Sequence, residues 1–269
     1  MDMKAGLEPV VDVSGGDWIA GRLRGSFGTV GSVVPQGFAA YARVLHPVEL
    51  ADGRGSLRWE QVCQLTGRIP HALMQWAAIA TPTAASEVAT TPSGRWEGGD
   101  VRVGTLAPAL LGALINVLAP ATGGQDCFHA LWEGWGWVDG TGVKVVSADD
   151  GRPVESAPVP EPGVSAEVWA LPRLRLPHRA YLLFRGPLRA ALGMGWQGSP
   201  CGFEPQSPSL FWPADHSWCV STEVDFDSTL VAGSQDLVDA VLTVPSLDAW
   251  SIEPDDDLTV FADLPNASS

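Results

Sequence analysis

Glu223, Asp225 and Asp227 are three carboxylates spaced two residues apart, and this spacing could do chemistry. In an extended strand every second side chain lies on one face. The segment Trp218 to Asp227 (WCVSTEVDFD) alternates well enough to be read as a strand, which would put the three acids together with Val224 and Phe226 opposite. Neighbouring carboxylates repel unless water, arginine or a cation lies between them. The face is therefore either a solvated outer surface or a site for a divalent cation or a basic partner.

A second constellation is LWEGWGW, where Trp132, Trp135 and Trp137 surround Glu133. If Cys127 to Val138 is extended, Glu133, Trp135 and Trp137 share a face. Indole rings beside one carboxylate suit a ligand pocket, and with a second carboxylate they would suit glycoside cleavage. The other reading is a tryptophan-rich core edge. Cys127-x-His129 and His216-x-x-Cys219 offer a tetrahedral zinc ligand set, but their spacing matches no standard zinc pattern, and buried thiols explain the cysteines. His46, His71, His178 and His216 could each act as a base, yet no GxSxG or catalytic-cysteine signature accompanies them. No GxGxxG follows a strand and there is no Walker A sequence. Hence no catalytic residue, metal ligand or cofactor is assigned.

Val224 to Val231 resembles the first motif of haloacid-dehalogenase-type phosphatases, a strand ending in DxDxT. That resemblance implies an attacking Asp225 and a proton-donating Asp227. The chemistry also needs a later lysine and an acidic pair that holds Mg²⁺. No Lys or Arg follows Asp227, and too little chain remains for a doubly wound sheet. The match is a decoy.

The elements that must position these residues are set by composition. The chain has 269 residues, 45% of them hydrophobic, and a net charge of −15. That much apolar material excludes disorder over most of the chain and supports a sizeable core. Residues 1–189 carry all 16 Lys and Arg with 18 acids, whereas residues 190–269 carry 13 acids and no Lys or Arg. Just before that acidic tract lie Arg173, Arg175, Arg179, Arg185 and Arg189. Some of these arginines are expected to pair with the 223–227 carboxylates across adjacent strands, in competition with an external basic partner. A phosphate backbone would be repelled, so no nucleic-acid partner is expected. Four dispersed cysteines without CxxC read as reduced thiols. The N-terminus lacks a signal-peptide pattern, and the run Thr105 to Ala121 is too short to span a bilayer. The expected location is the cytoplasm, with no membrane association.

The pattern predicts an α+β fold, a mixed or antiparallel sheet packed by a few helices. An N-terminal half (1–146) and a C-terminal half (166–252) are joined by a Pro- and acid-rich loop (147–165), and an acidic, fraying tail (253–269) follows. Strands are expected over Phe38 to His46, Cys127 to Val138, Ala180 to Phe184 and Trp218 to Asp227. Helices are expected over Leu57 to Thr66 with Ser56 as cap, over 71–79, from Thr105 to just before Pro120, and over Gln235 to Leu242 capped by Ser234.

The longer phrases WIAGRLRGSFGTVGSVVPQGFAAYARVLHP, LWEGWG, YLLFRGPL and SPSLFWPADHSWCVSTEVDFDSTLVAGS resemble a family of uncharacterised soluble bacterial proteins from GC-rich genomes. The resemblance covers most of the chain and is weakest at 147–165. It implies no activity that can be carried to particular residues. The run LPHRAYLLF, in an acidic chain, is similar to Smi1/Knr4-type immunity proteins, which implies an immunity-type inhibitor. The expected function is a non-catalytic intracellular interaction protein whose acidic C-terminal surface, with Glu223, Asp225 and Asp227, meets a basic partner. The alternative is a small-molecule binder or hydrolase with a pocket around Trp132, Glu133, Trp135 and Trp137.

Overall fold

In Ala40–Leu45 (β2), Tyr41 faces one hydrophobic cluster and Ala42 and Val44 face another. Such a strand needs cover on both sides, and it lies inside a nine-stranded antiparallel sheet. The computed structural model describes residues 6–140, 162–199 and 202–267. The other strands of this sheet are β1 (Glu8–Pro9), β3 (Cys127–Trp132), β4 (Leu174–Leu176), β5 (Arg179–Gly186), β6 (Leu210–Pro213), β7 (Cys219–Ser221), β8 (Ser228–Gly233) and β9 (Asp248–Ile252). Their order is β1-β5-β3-β6-β7-β8-β2-β9, with β4 also pairing to β5. The fold is α+β. Strands from before and after residues 147–165 are interleaved in the sheet.

One face of the sheet is covered by α2 (Pro108–Thr122) and α3 (Gln235–Leu242), which pack on Ala42, Val44, Phe211, Val220 and Val231. α2 buries Leu111, Leu114, Ile115 and Leu118, the spacing of one helical face. The other face receives the short helical turns Asp17–Ala20 and Val30–Val33, which cover Tyr41, Tyr181, Leu210 and Leu230. A small three-stranded sheet (Val48–Leu50, Ser56–Leu57, Gly99–Val101) and α1 (Trp59–Thr66) enclose a separate cluster around Trp59 and Trp76.

Several boundaries differ from expectation, each for a visible reason. α1 starts at Trp59, not Leu57, because its first amide donates to Asp248 Oδ2 at 3.0 Å, a cap supplied by β9. Of 71–79 only Trp76–Ile79 is helical, since the carbonyls of Ala72 and Met74 accept from Arg43. α2 begins at Pro108 and runs through Pro120 to Thr122, where Gly123 at φ +62° closes it. The strand from Cys127 stops at Trp132, and Gly136–Asp139 form a helical turn. The strand from Trp218 stops at Ser221.

The tail does not fray over its described length. The backbone of residues 254–258 bonds that of 28–31, and Asp263 and Asn266 are buried. Of the expected linker, residues 147–161 lie outside the described residues, as do Lys4, Lys144, Cys201 and the last two residues. Its end, at Val164, is buried against Trp137 and Leu182. No helix among the described residues is long and apolar enough to cross a membrane.

Candidate functional site

The three carboxylates do not share a strand face. After Ser221 the chain turns, with Phe226 N–H donating to Glu223 O at 3.0 Å. The turn is held against Gly104, whose φ is +72° and where a Cβ would stand 2.4 Å from the Val224 carbonyl. Only glycine tolerates both conditions. The acids then divide between two guanidinium groups. Arg179 donates to Glu223 Oε1 through Nε (3.1 Å) and Nη2 (2.5 Å), and to Asp225 Oδ2 at 2.7 Å. Asp227 instead accepts from Arg43 Nη2 at 3.2 Å. Arg43 is 1% exposed and also donates to Ser228 Oγ and to the Ala72 and Met74 carbonyls.

Arg179 opens β5 immediately after the two-residue loop Pro177-His178. Proline in the first central position and His178 at φ +74° in the second meet the requirements of a type II turn. This turn aims the guanidinium back along the sheet, where it also lies over the Trp132 ring at 4.9 Å. Both regions singled out in the sequence therefore converge on Arg179, a residue that the acidic pattern alone does not pick out.

The tryptophan segment is not one pocket. Trp132 is covered by Arg179 on a ring face and meets Trp135 edge-on. Glu133 is bound by Arg173 at 2.8 Å. Trp135 packs toward Gly104, and Trp137 is buried in a stack on Trp196. Because the strand ends at Trp132, the face expected to unite Glu133, Trp135 and Trp137 does not form.

Two clefts flank Arg179. The outer one, about 440 Å³, is lined by Trp132, Glu133, Arg175, Leu176, His178 and Arg179. The inner one lies between the sheet and the N-terminal loop, with Tyr181, Ser209, Leu210, Ser221, Thr222 and Glu223 on the sheet side. Leu23, Phe27, Ser32 and Val33 close it from the loop side, and the space left is about 30 Å³, enough for about two water molecules. Burial, followed by the charge of Glu223, pushes the Tyr181 phenol well above its ordinary value, so it stays a neutral hydroxyl. Tyr181 and Ser221 carry no sequence signal that they line this cleft, because a hydroxyl on a buried strand looks the same wherever it points.

The remaining candidates are structural. Cys127 belongs to the cluster under the helices and Cys219 to the cluster on the opposite sheet face, so the zinc ligand set weighed and set aside from the sequence does not converge. Burial raises the Cys63 and Cys127 thiols to about 12, which leaves them unreactive. His46 is buried between the Arg102 carbonyl (2.7 Å) and Thr229 Oγ1 (3.0 Å), out of reach of a substrate.

These contacts reorder the expected arginine effects. Arg185 pairs only with a half-exposed Asp126, and Arg175 makes no ion pair among the described residues. Arg179→Ala leaves the buried Glu223 beside Asp225 without a cation and is expected to cost about 2–3 kcal/mol. Arg175→Ala and Arg185→Ala are expected to stay within about 1 kcal/mol. Urea midpoints of the three variants check this ranking. If Arg179→Ala falls with the other two, the Glu223 pair is solvated and not structural. No family model, curated protein or solved structure matches the chain, so the functional reading rests on this geometry.

Proposed function

We propose that the chain is a non-catalytic intracellular interaction protein that receives a basic, amphipathic partner on its C-terminal surface. The observation that carries this reading is an apolar segment held outward by buried anchors. Phe261 is 82% exposed, Leu264 77% and Val260 65%. Between them Asp263 is buried and accepts from His71 Nε2 (2.7 Å), the Gln75 amide (2.9 Å) and Asn266 Nδ2 (2.9 Å). Asn266 in turn clasps both backbone groups of Ile69, itself exposed. The exposure is therefore imposed by the anchors, and apolar patches with polar rims mark docking surfaces. The rim is acidic, with Glu253, Asp255 and Asp257 exposed on the preceding turn.

Arg179 and Arg43 already hold Glu223, Asp225 and Asp227, so the acids offered to a partner are those of 253–257. Opposite charge on the partner would steer the encounter, and its apolar side would cover Phe261 and Leu264. An immunity-type inhibitor of a basic protein would use such a surface, and a nucleic acid would be repelled from it. In a fluorescence-anisotropy titration, a leucine/lysine amphipathic peptide should bind the chain and release as salt rises, while its leucine/glutamate counterpart should not bind. Phe261→Ser with Leu264→Ser should weaken binding by tenfold or more. Equal affinity in that variant, or no preference for the basic peptide, removes the reading.

The anchor itself is testable. Asp263→Ala leaves the Gln75 backbone amide without its acceptor, takes the carboxylate from His71 and removes one of the contacts that hold Asn266, at an expected cost of about 2–4 kcal/mol. Amide exchange should rise across 259–267 well before global unfolding. Unchanged exchange there would show that the tail is held by something other than Asp263.

A further inference from the structure

Glu133, Ala180 and Arg175 lie side by side across three neighbouring segments of the main sheet. The Glu133 amide donates to the Ala180 carbonyl at 3.1 Å, and Ala180 is the register partner of Arg175 on its other side. Residues opposite one another on adjacent strands point to the same face. A carboxylate and a guanidinium thus flank a methyl group, with their backbones two strand spacings, about 10 Å, apart. All three residues line the outer cleft, and its volume of about 440 Å³ is that of a small-molecule pocket as it stands. The two charges do not pair with each other. Arg175 is exposed and has no ion-pair or hydrogen-bond partner among the described residues. Glu133 gives Oε2 to Arg173 at 2.8 Å, and Arg173 also donates to the Leu171 and Trp169 carbonyls. Glu133 Oε1 has no partner among the described residues. Arg179 is already engaged by Glu223 and Asp225. The cleft therefore offers one open carboxylate oxygen and one open guanidinium, beside the apolar surfaces of Trp132 and Leu176.

We propose that the outer cleft binds a free amino acid with an apolar side chain. The ligand's ammonium group donates to Glu133 Oε1, its carboxylate accepts from Arg175, and its side chain lies against Trp132 and Leu176. A simple anion would meet Arg175 but face the Glu133 carboxylate. A simple cation would pair with Glu133 but face Arg175 and Arg179. A zwitterion satisfies both ends, through two charge-assisted hydrogen bonds over the Ala180 methyl. Loop length and turn type set the register of a hairpin, so the Pro177-His178 turn fixes Arg175 opposite Ala180. This site is separate from the C-terminal surface and does not depend on its function.

The test is a ¹H–¹⁵N titration of the full chain with leucine and phenylalanine at millimolar concentrations. At least one should give saturable shifts at residues 132–134 and 175–180. Two half-ligands of the amino acid that binds then separate the contacts: its amide lacks the carboxylate, and its desamino acid lacks the ammonium group. Each should bind about tenfold or more weakly, the worth of one hydrogen bond to a charged group. Arg175→Gln removes an exposed charge without touching the core. It should weaken the amino acid about tenfold and should not weaken the amide. Glu133→Gln should weaken the amino acid and should not weaken the desamino acid. If neither amino acid gives a saturable change at the cleft, the proposal is wrong. It is equally overturned if a half-ligand binds as tightly as the whole amino acid, or if Arg175→Gln leaves the affinity for the amino acid unchanged. Should Glu133→Gln melt early through loss of its Arg173 pair, the comparison of amino acid and amide on Arg175→Gln decides the matter.

Discussion

Asp227→Ala should destabilise the protein by about 3–5 kcal/mol, a large part of a typical folding free energy. The reason lies in what the substitution leaves behind. Arg43 is 1% exposed, and Asp227 is its only ion-pair partner among the described residues. Desolvation already draws the Arg43 guanidinium below its ordinary value, against the pull of Asp227. Without that carboxylate a full positive charge would remain beneath the sheet, bound only to Ser228 Oγ and to the carbonyls of Ala72 and Met74. Asp227→Asn keeps an acceptor but loses the charge, and should fall between Ala and the unmodified chain. Arg43→Met is expected to be at least as harmful, because it strands those two carbonyls as well as Asp227. Urea unfolding checks this series. A cost below about 1 kcal/mol for Asp227→Ala would mean that water reaches Arg43.

Acid should weaken the fold before most carboxylates titrate. Burial lowers both His46 and His129 from 6.5 to about 4. Among the described residues His129 has no well-formed hydrogen bond at either ring nitrogen, although the Gly186 and Pro187 carbonyls lie near it. The unfolded chain therefore takes up these protons first. Stability is complete above pH 6.5, falls as pH drops from 6.5 towards 4, and levels off below that. At 1.36 kcal/mol per pKa unit each histidine contributes about 3 kcal/mol, so the pair approaches the stability of an ordinary domain. Between pH 6.5 and 5 the unfolding free energy should fall by up to about 2.7 kcal/mol per pH unit, twice the value for one proton. His129→Leu should halve that slope while leaving the His46 contribution intact. A flat profile over this window would show that both rings stay solvated or find partners when charged.

The helices and strands legible in the sequence are those whose side chains alternate or repeat without outside help. Ser234 caps α3 as expected, Gly67 at φ +73° closes α1, and Ala40–Leu45 lies within the strand expected there. The misread segments are those whose backbone or side-chain groups are satisfied by partners distant in sequence. Asp248 caps α1, Arg43 takes the carbonyls of 72–74, and Arg179 draws Glu223 out of line. The chain has twelve tryptophans, and a buried indole N–H ordinarily takes a partner. Trp59 and Trp76 find one in the His46 carbonyl and Asp100, whereas the buried indole nitrogens of Trp135, Trp137, Trp212 and Trp218 have none among the described residues. Packing area prevailed there.

What the sequence determined on its own is the material: a large apolar core, an α+β pattern, and a net negative charge concentrated beyond residue 190, where there is no Lys or Arg. These follow from residue types and short-range periodicity, which need no knowledge of the rest of the chain. Only the tertiary structure decided which arginine meets which acid, that Trp132 lies under Arg179, and that Phe261 is exposed while Asp263 is buried. Side chains reach only a few ångströms, and a charge or hydroxyl is satisfied by whatever the sheet order brings within that distance. That order places β5 beside β3 and β2 between β8 and β9. It is fixed by contacts between residues about 50 to 210 positions apart, so no local pattern could have announced it.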